Sequence, residues 1–152
     1  MSKKINFLLP VDGTPIPLSE VNDYLFNKKI MGEGVAIKPL GDTIISPIDG
    51  EIAVVYESKH AIMIKSEDGL EILIHVGIDS AKLQGKGFAA YVKVGDKVKA
   101  GDKILYFDRA FIEKNVSDVT PIVITNAEII ESFDINYEAR KALDTLMEIT
   151  IK

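Results

Sequence analysis

Two histidines, His60 and His75, are the only imidazole side chains in the 152 residues, and the chain contains no cysteine. A thiolate metal site, a disulfide and a cysteine nucleophile are therefore excluded. Paired imidazoles suit metal binding, general acid–base catalysis or nucleophilic attack on phosphorus. A zinc site needs three or four protein ligands, so carboxylates such as that of Asp79 would have to complete it. Phosphoryl transfer fits better, because a neutral imidazole attacks phosphorus while a protonated partner holds the phosphoryl oxygens.

A predicted β-hairpin positions the two histidines. The apolar runs 60–64 and 70–76 are separated by Asp68-Gly69, which favours a tight turn because glycine accepts a positive φ. In an antiparallel pair centred on this turn, positions near 60 and 75 lie opposite each other or within one or two residues. Alternation along the second run gives one wholly apolar face, made by Leu70, Ile72, Ile74 and Val76. His75 belongs to the opposite face and is expected to be accessible.

The rest of the chain repeats this pattern of short β-rich runs separated by Gly, Pro and Asp. The pattern predicts an all-β fold, an antiparallel sandwich or barrel-sandwich hybrid. Two turn sequences occur twice, Pro-Val/Ile-Asp-Gly at 10–13 and 47–50 and Gly-Asp-Lys-Val/Ile at 95–98 and 101–104, which indicates strands related by approximate symmetry. Short helices are expected over 18–26, 109–115 and 127–133, and a strand over 146–151.

Composition limits the classes of function. The chain is 47% hydrophobic and 27% charged, which predicts one globular domain over 1–152 with a short N-terminal tail, 1–9. The net charge is −5 and no block of lysine or arginine occurs, so nucleic acid is not an expected partner. No targeting segment and no run of about 18 apolar residues is present, so we expect a cytoplasmic protein without direct membrane insertion.

Several motifs, taken in order, are specific to one family. The segments around the histidines read Glu-Ser-Lys-His-Ala at 57–61 and Ile-His-Val-Gly-Ile-Asp at 74–79. Further landmarks are the segments 32–39, 46–50, 83–88 and 120–126. Over about 10–126 the chain resembles the glucose-type enzyme IIA family of the bacterial phosphoenolpyruvate-dependent sugar phosphotransferase system. The resemblance implies a phosphotransferase component that works through a phosphohistidine and needs no cofactor.

The resemblance also implies roles for single residues. His75 matches the phosphoryl acceptor, which reacts through Nε2, and Gly77 matches the residue whose carbonyl holds the Nδ1–H of that ring. His60 matches the second histidine, which contacts the phosphoryl group. Ser58 stands where the family usually has threonine, and its hydroxyl is expected to orient His60. Asp79 matches an acidic residue at the rim of the pocket.

In the family, an apolar patch around the histidines docks the phosphocarrier HPr and then the IIB domain of a sugar transporter. The matching or adjacent positions are Tyr24, Leu25, Phe26, Ala61, Leu73 and Val76. Phe26 precedes Asn27-Lys28-Lys29 and is expected to be exposed, whereas alternation assigns Val76 to the core. A metal ion is not required, although His60 and His75 together could bind one in a complex.

The sequence leaves two alternatives open. The first is a regulatory binding protein whose unphosphorylated histidine face contacts regulated transporters or metabolic enzymes. The second is a biotinyl or lipoyl carrier domain, which the segment 94–104 also resembles. Such a carrier needs a lysine on an exposed hairpin just downstream, where this chain has Arg109, and a guanidinium does not form the required amide.

Overall fold

In the computed structural model, which describes residues 3–152, thirteen β-strands form most of the regular structure. The strands are β1 (Lys3–Leu8), β2 (Gly13–Pro17), β3 (Glu33–Pro39), β4 (Thr43–Ile45), β5 (Gly50–Val55), β6 (Ala61–Ser66), β7 (Glu71–His75), β8 (Phe88–Ala90), β9 (Lys97–Val98), β10 (Lys103–Phe107), β11 (Thr120–Ile124), β12 (Ile130–Ile135) and β13 (Thr145–Ile151). The helices are α1 (Tyr24–Asn27) and α2 (Arg109–Asn115), with single 3₁₀ turns at Leu18–Glu20, Ser80–Leu83 and Ala127–Ile129. None of these helices has the length and apolar character needed to span a bilayer.

The strands form three antiparallel sheets. The largest has seven strands in the order β2-β3-β11-β7-β6-β5-β9, and the other two have the orders β1-β13-β12 and β4-β10-β8. Every pairing in the three sheets is antiparallel. The predicted all-β class is therefore confirmed, and within residues 3–152 the sheets are open and do not close into a barrel.

Large apolar side chains from all three sheets fill the main core. Fully buried members include Phe7, Ile37, Ile62, Ile64, Ile72, Ile74, Phe107 and Leu146. Burying a side chain of this size contributes about 1.5–3 kcal/mol. The predicted core face of β7 is confirmed, since Ile72 and Ile74 both belong to this cluster.

A second, smaller apolar cluster covers the other face of the seven-stranded sheet. Its buried members are Leu18, Val21, Phe26, Ala36, Ala61, Leu73, Ile78 and Val123. The chain before β3 supplies the first three of these residues, so it lies against the face of β7 that carries Leu73 and His75. This covering segment, residues 18–26, does not form the expected continuous helix. Val21 is extended, and the side chain of Asp23 caps α1 by accepting a hydrogen bond from Leu25 N at 2.9 Å.

The other two helix predictions have different outcomes. The helix over 109–115 is confirmed as α2, which the Asp108 carboxylate caps by accepting from Phe111 N at 3.2 Å. The helix over 127–133 is wrong, because only Ala127–Ile129 forms a 3₁₀ turn before β12 pairs with β13. The predicted C-terminal strand is confirmed as β13.

The segment 1–9, expected to be a tail, is instead structural over the residues that are described. Strand β1 pairs with β13 from Lys3 opposite Ile151 onward, and Ile5, Phe7 and Leu9 are buried. The alternation of these three apolar residues explains the burial, since a strand presents every second side chain to one face. The Lys3 ammonium also pairs with the Asp68 carboxylate. Residues 1–2 lie outside the described part of the chain.

One of the two repeated turn sequences, Pro-Val/Ile-Asp-Gly at 10–13 and 47–50, occupies equivalent places, as predicted. Asp12 Oδ1 accepts a hydrogen bond from Ala142 N, and Asp49 Oδ1 accepts one from Ala100 N, both at 2.8 Å. Each aspartate directly precedes a strand, β2 or β5, that begins an antiparallel pair with the next strand, β3 or β6. The approximate symmetry therefore relates the β2-β3 pair to the β5-β6 pair.

Candidate active site

The β6-β7 hairpin brings the two histidines together. Ala61 pairs with His75, and Val76 N donates to the carbonyl oxygen of His60 at 2.8 Å. The centroids of the His60 and His75 rings lie 4.9 Å apart, with the ring planes at 79°. The predicted approach of the two imidazoles across the turn is confirmed.

His60 reaches His75 from the end of β6 rather than from within the strand. In a regular strand, neighbouring side chains point to opposite faces, yet the His60 ring contacts His75, whose strand position faces Ala61. The tight loop before β6 accounts for this arrangement. Lys59 has φ +57° and donates from its amide to the Tyr56 carbonyl at 2.7 Å, so the chain turns sharply just before His60.

A backbone carbonyl fixes the ring of His75. Its Nδ1 lies 2.8 Å from the carbonyl oxygen of Gly77. Because a carbonyl only accepts, Nδ1 carries the hydrogen and Nε2 of the neutral ring has a free lone pair. Gly77 has φ +83°, and a Cβ there would lie 2.8 Å from the Ser117 carbonyl oxygen, so a larger residue would disturb this contact.

Burial and neighbouring groups shift the pKa of His75 in opposite directions. Burial lowers the pKa of His75 from its ordinary value, while the hydrogen bond to Gly77 and the carboxylate of Asp23 partly offset that shift. The Phe26 ring, with its centroid 5.3 Å away, contributes to the burial. His75 is therefore neutral at pH 7, the state in which Nε2 is a nucleophile.

His60 is also neutral. Its side chain is buried, and burial together with the neighbouring His75 lowers the pKa of His60 from 6.5 to about 4. The expectation that a protonated partner holds the phosphoryl oxygens concerns the phosphorylated protein and stays a prediction. The buried Nδ1 of His60 has no hydrogen-bond partner among residues 3–152, so Ser58 does not orient the ring through that atom.

An open concavity lies beside His75. Its lining includes Asp23, Leu25, Phe26, Tyr56, Leu73, His75 and Asp79. Asp79 is exposed, has φ +61°, and lies 3.9 Å from the Lys82 ammonium, so it occupies the rim as the resemblance implies. The half-buried side chain of His75 is accessible from outside through this opening.

The six residues expected to contact partners divide into two groups. Tyr24 and Leu25 are 66% and 44% exposed and form part of the surface. The other four are buried: Phe26, Ala61, Leu73 and Val76. The expected exposure of Phe26 is wrong, because its ring packs into the second cluster against Leu73 and beside His75. Val76 belongs to the main core, as alternation indicated.

Sequence reasoning missed two residues at this site. Asp23 caps α1 and contributes charge beside His75, and an aspartate directly before an apolar run is a recognisable capping signal. Tyr56 contacts the His60 ring, with centroids 5.7 Å apart at 63°. No local sequence signal identifies Tyr56, since its role depends on how the loop before β6 folds.

Neither metal binding nor the carrier alternative gains support from the described residues. Within residues 3–152 no group of three or more His, Asp or Glu side chains is arranged to hold a metal ion. His60 and His75 would need ligands from another molecule. At the position where a carrier needs a hairpin lysine, Arg109 begins α2 and its guanidinium lies 3.1 Å from Glu113.

A neutral imidazole nucleophile with a second imidazole beside it, on an open all-β scaffold, defines a candidate phosphohistidine centre. Comparison with known proteins agrees with this class. The sequence model described as "phosphoenolpyruvate-dependent sugar phosphotransferase system, EIIA 1" matches residues 5–130. The chain belongs to this EIIA family.

Individual relatives cover most of the chain. The PTS system glucose-specific EIIA component of Oceanobacillus iheyensis is 51% identical over 127 residues, which is 83% of this chain and 77% of the relative. The component of the same name from Bacillus cereus is 45% identical over 146 residues, 94% of this chain and 88% of the relative. Among solved structures, glucose permease IIA from Mycoplasma capricolum superposes with a TM-score of 0.89 at 33% identity, covering 99% of this chain and 97% of that one.

Proposed function

We propose that this protein is a phosphohistidine relay, in which His75 accepts a phosphoryl group from HPr and passes it to the IIB domain of a sugar transporter. The observation that carries the proposal is the hydrogen bond from His75 Nδ1 to the Gly77 carbonyl, with His60 against the same ring. That bond leaves Nε2 as the reactive atom. Membership of the EIIA family supports the identity of donor and acceptor.

The chemistry of the two transfers balances on this one atom. The Nε2 lone pair of His75 attacks the phosphorus carried by HPr, and the bond from phosphorus to its HPr atom breaks with the electron pair leaving on HPr. No proton has to leave His75, because Nδ1 keeps its hydrogen and continues to donate it to the carbonyl oxygen of Gly77. In the second step a nucleophile of the IIB domain attacks the phosphorus, and the pair of the P–N bond returns to Nε2.

His60 stabilises the transferred group. In the neutral state one ring nitrogen carries a hydrogen and donates to a phosphoryl oxygen, which gains negative charge during the transfer. A phosphoryl group brings about 1.5–2 negative charges, which favour the protonated form of a nearby imidazole. The pKa of His60, about 4 in the unphosphorylated structure, therefore rises on phosphorylation.

HPr and the IIB domain use the same surface in turn. The exposed side chains of Tyr24 and Leu25 lie on the covering segment next to His75, and apolar side chains of this kind contribute to a docking surface. Asp23 and Asp79 lie at the edge of the concavity and supply negative charge there. Because each partner must reach Nε2 of His75, the two complexes exclude each other.

The test is a reconstituted relay with phosphoenolpyruvate, enzyme I, HPr and a panel of IIB domains. We expect one acid-labile phosphoryl group per chain, mapped to His75 by peptide mass spectrometry, and its loss on addition of a cognate IIB domain. The variant His75→Gln has no ring nucleophile and should remain unlabelled. An unlabelled parent protein in a mixture where HPr is labelled, or normal labelling of the variant, would disprove the proposed role of His75.

A second function is proposed for the same face, namely regulation. The exposed pair Tyr24 and Leu25 lies beside the concavity that His75 lines, and this face offers a surface to regulated transporters or metabolic enzymes when His75 carries no phosphoryl group. Added negative charge at His75 should weaken such binding. Binding that is equal for the phosphorylated and unphosphorylated forms would contradict a phosphorylation-dependent regulatory role.

A further inference from the structure

Among residues 3–152, no polar group anchors the buried nitrogen of the His60 imidazole. Its buried Nδ1 finds no hydrogen-bond partner in the described part of the chain, and the hydroxyl of Ser58 does not supply one. Rotation about χ2 of a histidine has a broad, roughly two-fold energy profile. The plane of the His60 ring must therefore be set by packing, and the residue that packs against it decides where its N–H points.

Tyr56 supplies this packing. Its ring meets that of His60 with centroids 5.7 Å apart at 63°, an edge-to-face arrangement. The His60 ring in turn lies against the His75 ring, with centroids 4.9 Å apart and ring planes at 79°. The Phe26 ring also lies against His75, with a centroid distance of 5.3 Å. Four rings thus follow one another from Tyr56 to Phe26, with both imidazoles between the two carbocyclic rings.

The backbone holds Tyr56 firmly in this place. Tyr56 N donates to the Ala61 carbonyl at 3.1 Å, and the Tyr56 carbonyl accepts from Lys59 N at 2.7 Å. These bonds close the loop that carries both Tyr56 and His60. The half-buried Tyr56 side chain also packs against the second apolar cluster, which restricts its movement away from His60.

We infer that Tyr56 is a positioning residue whose ring holds the His60 imidazole edge-on to His75. The ring of Tyr56, and not its hydroxyl, performs this role, because the ring makes the contact with His60. The consequence for transfer rests on the proposed relay function, in which His60 donates to the phosphoryl group. The ring geometry itself does not depend on that function.

Three variants of the full chain test the inference. Tyr56→Leu removes the ring but keeps an apolar side chain, and Tyr56→Phe keeps the ring. Tyr91→Leu is the matched control, since Tyr91 is 54% exposed and has no ring contact with either histidine in residues 3–152. Each variant is checked by thermal unfolding. Labelling from HPr and discharge to IIB are then timed separately, and ¹⁵N NMR of the imidazoles reports the tautomer and the pKa of His60.

In Tyr56→Leu we expect discharge to slow by about fivefold or more when it is measured at saturating IIB, so that docking does not limit the rate. The His60 nitrogen shifts should move toward the average of two tautomers. Tyr56→Phe and Tyr91→Leu should keep the parent His60 signals and discharge rate. Unchanged signals and discharge in Tyr56→Leu would overturn the inference, as would an equal loss in Tyr56→Phe, which would assign the role to the hydroxyl.

The ¹⁵N NMR measurement tests this inference independently of the proposed function. If the parent protein accepts no phosphoryl group, the relay fails, but the His60 signals of Tyr56→Leu still decide whether the ring positions His60. If the parent is labelled and discharged normally, a loss confined to Tyr56→Leu supports both.

Discussion

Val76 donates its amide hydrogen to the carbonyl of His60 at 2.8 Å, so a backbone hydrogen bond of the hairpin joins the segments that carry the two histidines. The next pair in the ladder is Ala61 with His75. The separation of the two imidazoles is therefore a property of the strand register. A slip of one residue would carry His75 to the opposite face of the sheet and dismantle the site.

Replacing His60 with glutamine should slow discharge to IIB while leaving acceptance from HPr possible. A glutamine amide still donates a hydrogen bond but does not take up a proton as phosphoryl charge develops. His60→Gln should accept phosphoryl from HPr and discharge it to IIB about 100-fold more slowly, the lower end of the effect of losing a positioned group that takes up a proton. Timed discharge of pre-labelled protein measures this difference. Discharge at the parent rate would exclude His60 from the transfer.

Gly77→Ala should lower both the stability of the fold and the rate at which His75 accepts a phosphoryl group from HPr. Its φ of +83° and the approach of a Cβ to 2.8 Å from the Ser117 carbonyl force the backbone to shift, at a cost of about 1–3 kcal/mol. The carbonyl that holds His75 Nδ1 moves with it, so labelling from HPr should slow.

Gly95→Ala is the matched control for this variant. Gly95 has φ +93°, and a Cβ added there would meet no atom within 4 Å, so the substitution tests backbone strain away from the histidines. Denaturant titration should show Gly95→Ala destabilised with normal labelling. Normal labelling of folded Gly77→Ala would show that the carbonyl is not needed to orient His75.

The stability of the unphosphorylated protein should depend on His60 below neutral pH. The pKa of His60 is about 4 in the folded state, compared with 6.5 for the free side chain, so the unfolded chain binds the proton first as the pH falls. His60 thus lowers the free energy of unfolding between pH 6.5 and 4, by about 2 kcal/mol on going from pH 7 to 5, and has little effect above pH 7. His75 acts in the same direction, since its pKa is also lowered.

Denaturant titrations at pH 7 and 5 of the parent and His60→Gln measure this contribution. The variant keeps every other titratable group, so the difference between the two pH dependences isolates His60. The parent should lose more stability than His60→Gln as the pH falls. Identical losses would mean that His60 titrates near its ordinary pKa in the folded protein.

Leu25→Asp should weaken docking without affecting the fold. Leu25 is 44% exposed at the concavity beside His75, so a charge there removes apolar contact with a partner while leaving the core intact. We expect HPr affinity to fall about tenfold, which corresponds to about 1.4 kcal/mol. Val94→Asp, at an exposed position elsewhere, is the control and should bind normally. Equal affinities of the two variants would remove Leu25 from the docking surface.

Local patterns in the sequence predicted the hairpin and its contents well. The Asp68-Gly69 turn and the flanking apolar runs indicated the β6-β7 register, and alternation indicated the core side of β7. These features depend on residues within about fifteen positions of one another. The meeting of His60 and His75 follows from them directly.

Contacts between distant segments were beyond the reach of such patterns. The second apolar cluster forms because the covering segment with Phe26 packs on a sheet face near Leu73, which periodicity in either segment alone does not reveal. The segment after Asn126 contains good helix formers, yet pairing with β13 makes most of it a strand. The role of Tyr56 was missed for the same reason, since it depends on loop geometry.

The pairing of Lys3 with Ile151, and the ion pair of Lys3 with Asp68, place both described ends of the chain beside the turn of the β6-β7 hairpin. The histidines lie at the opposite end of those strands, about 15–20 Å away along the hairpin. A fluorophore, an affinity tag or a surface tether attached at either end would therefore leave the imidazoles unobstructed. This arrangement makes the domain suitable for immobilised measurements of both transfer steps.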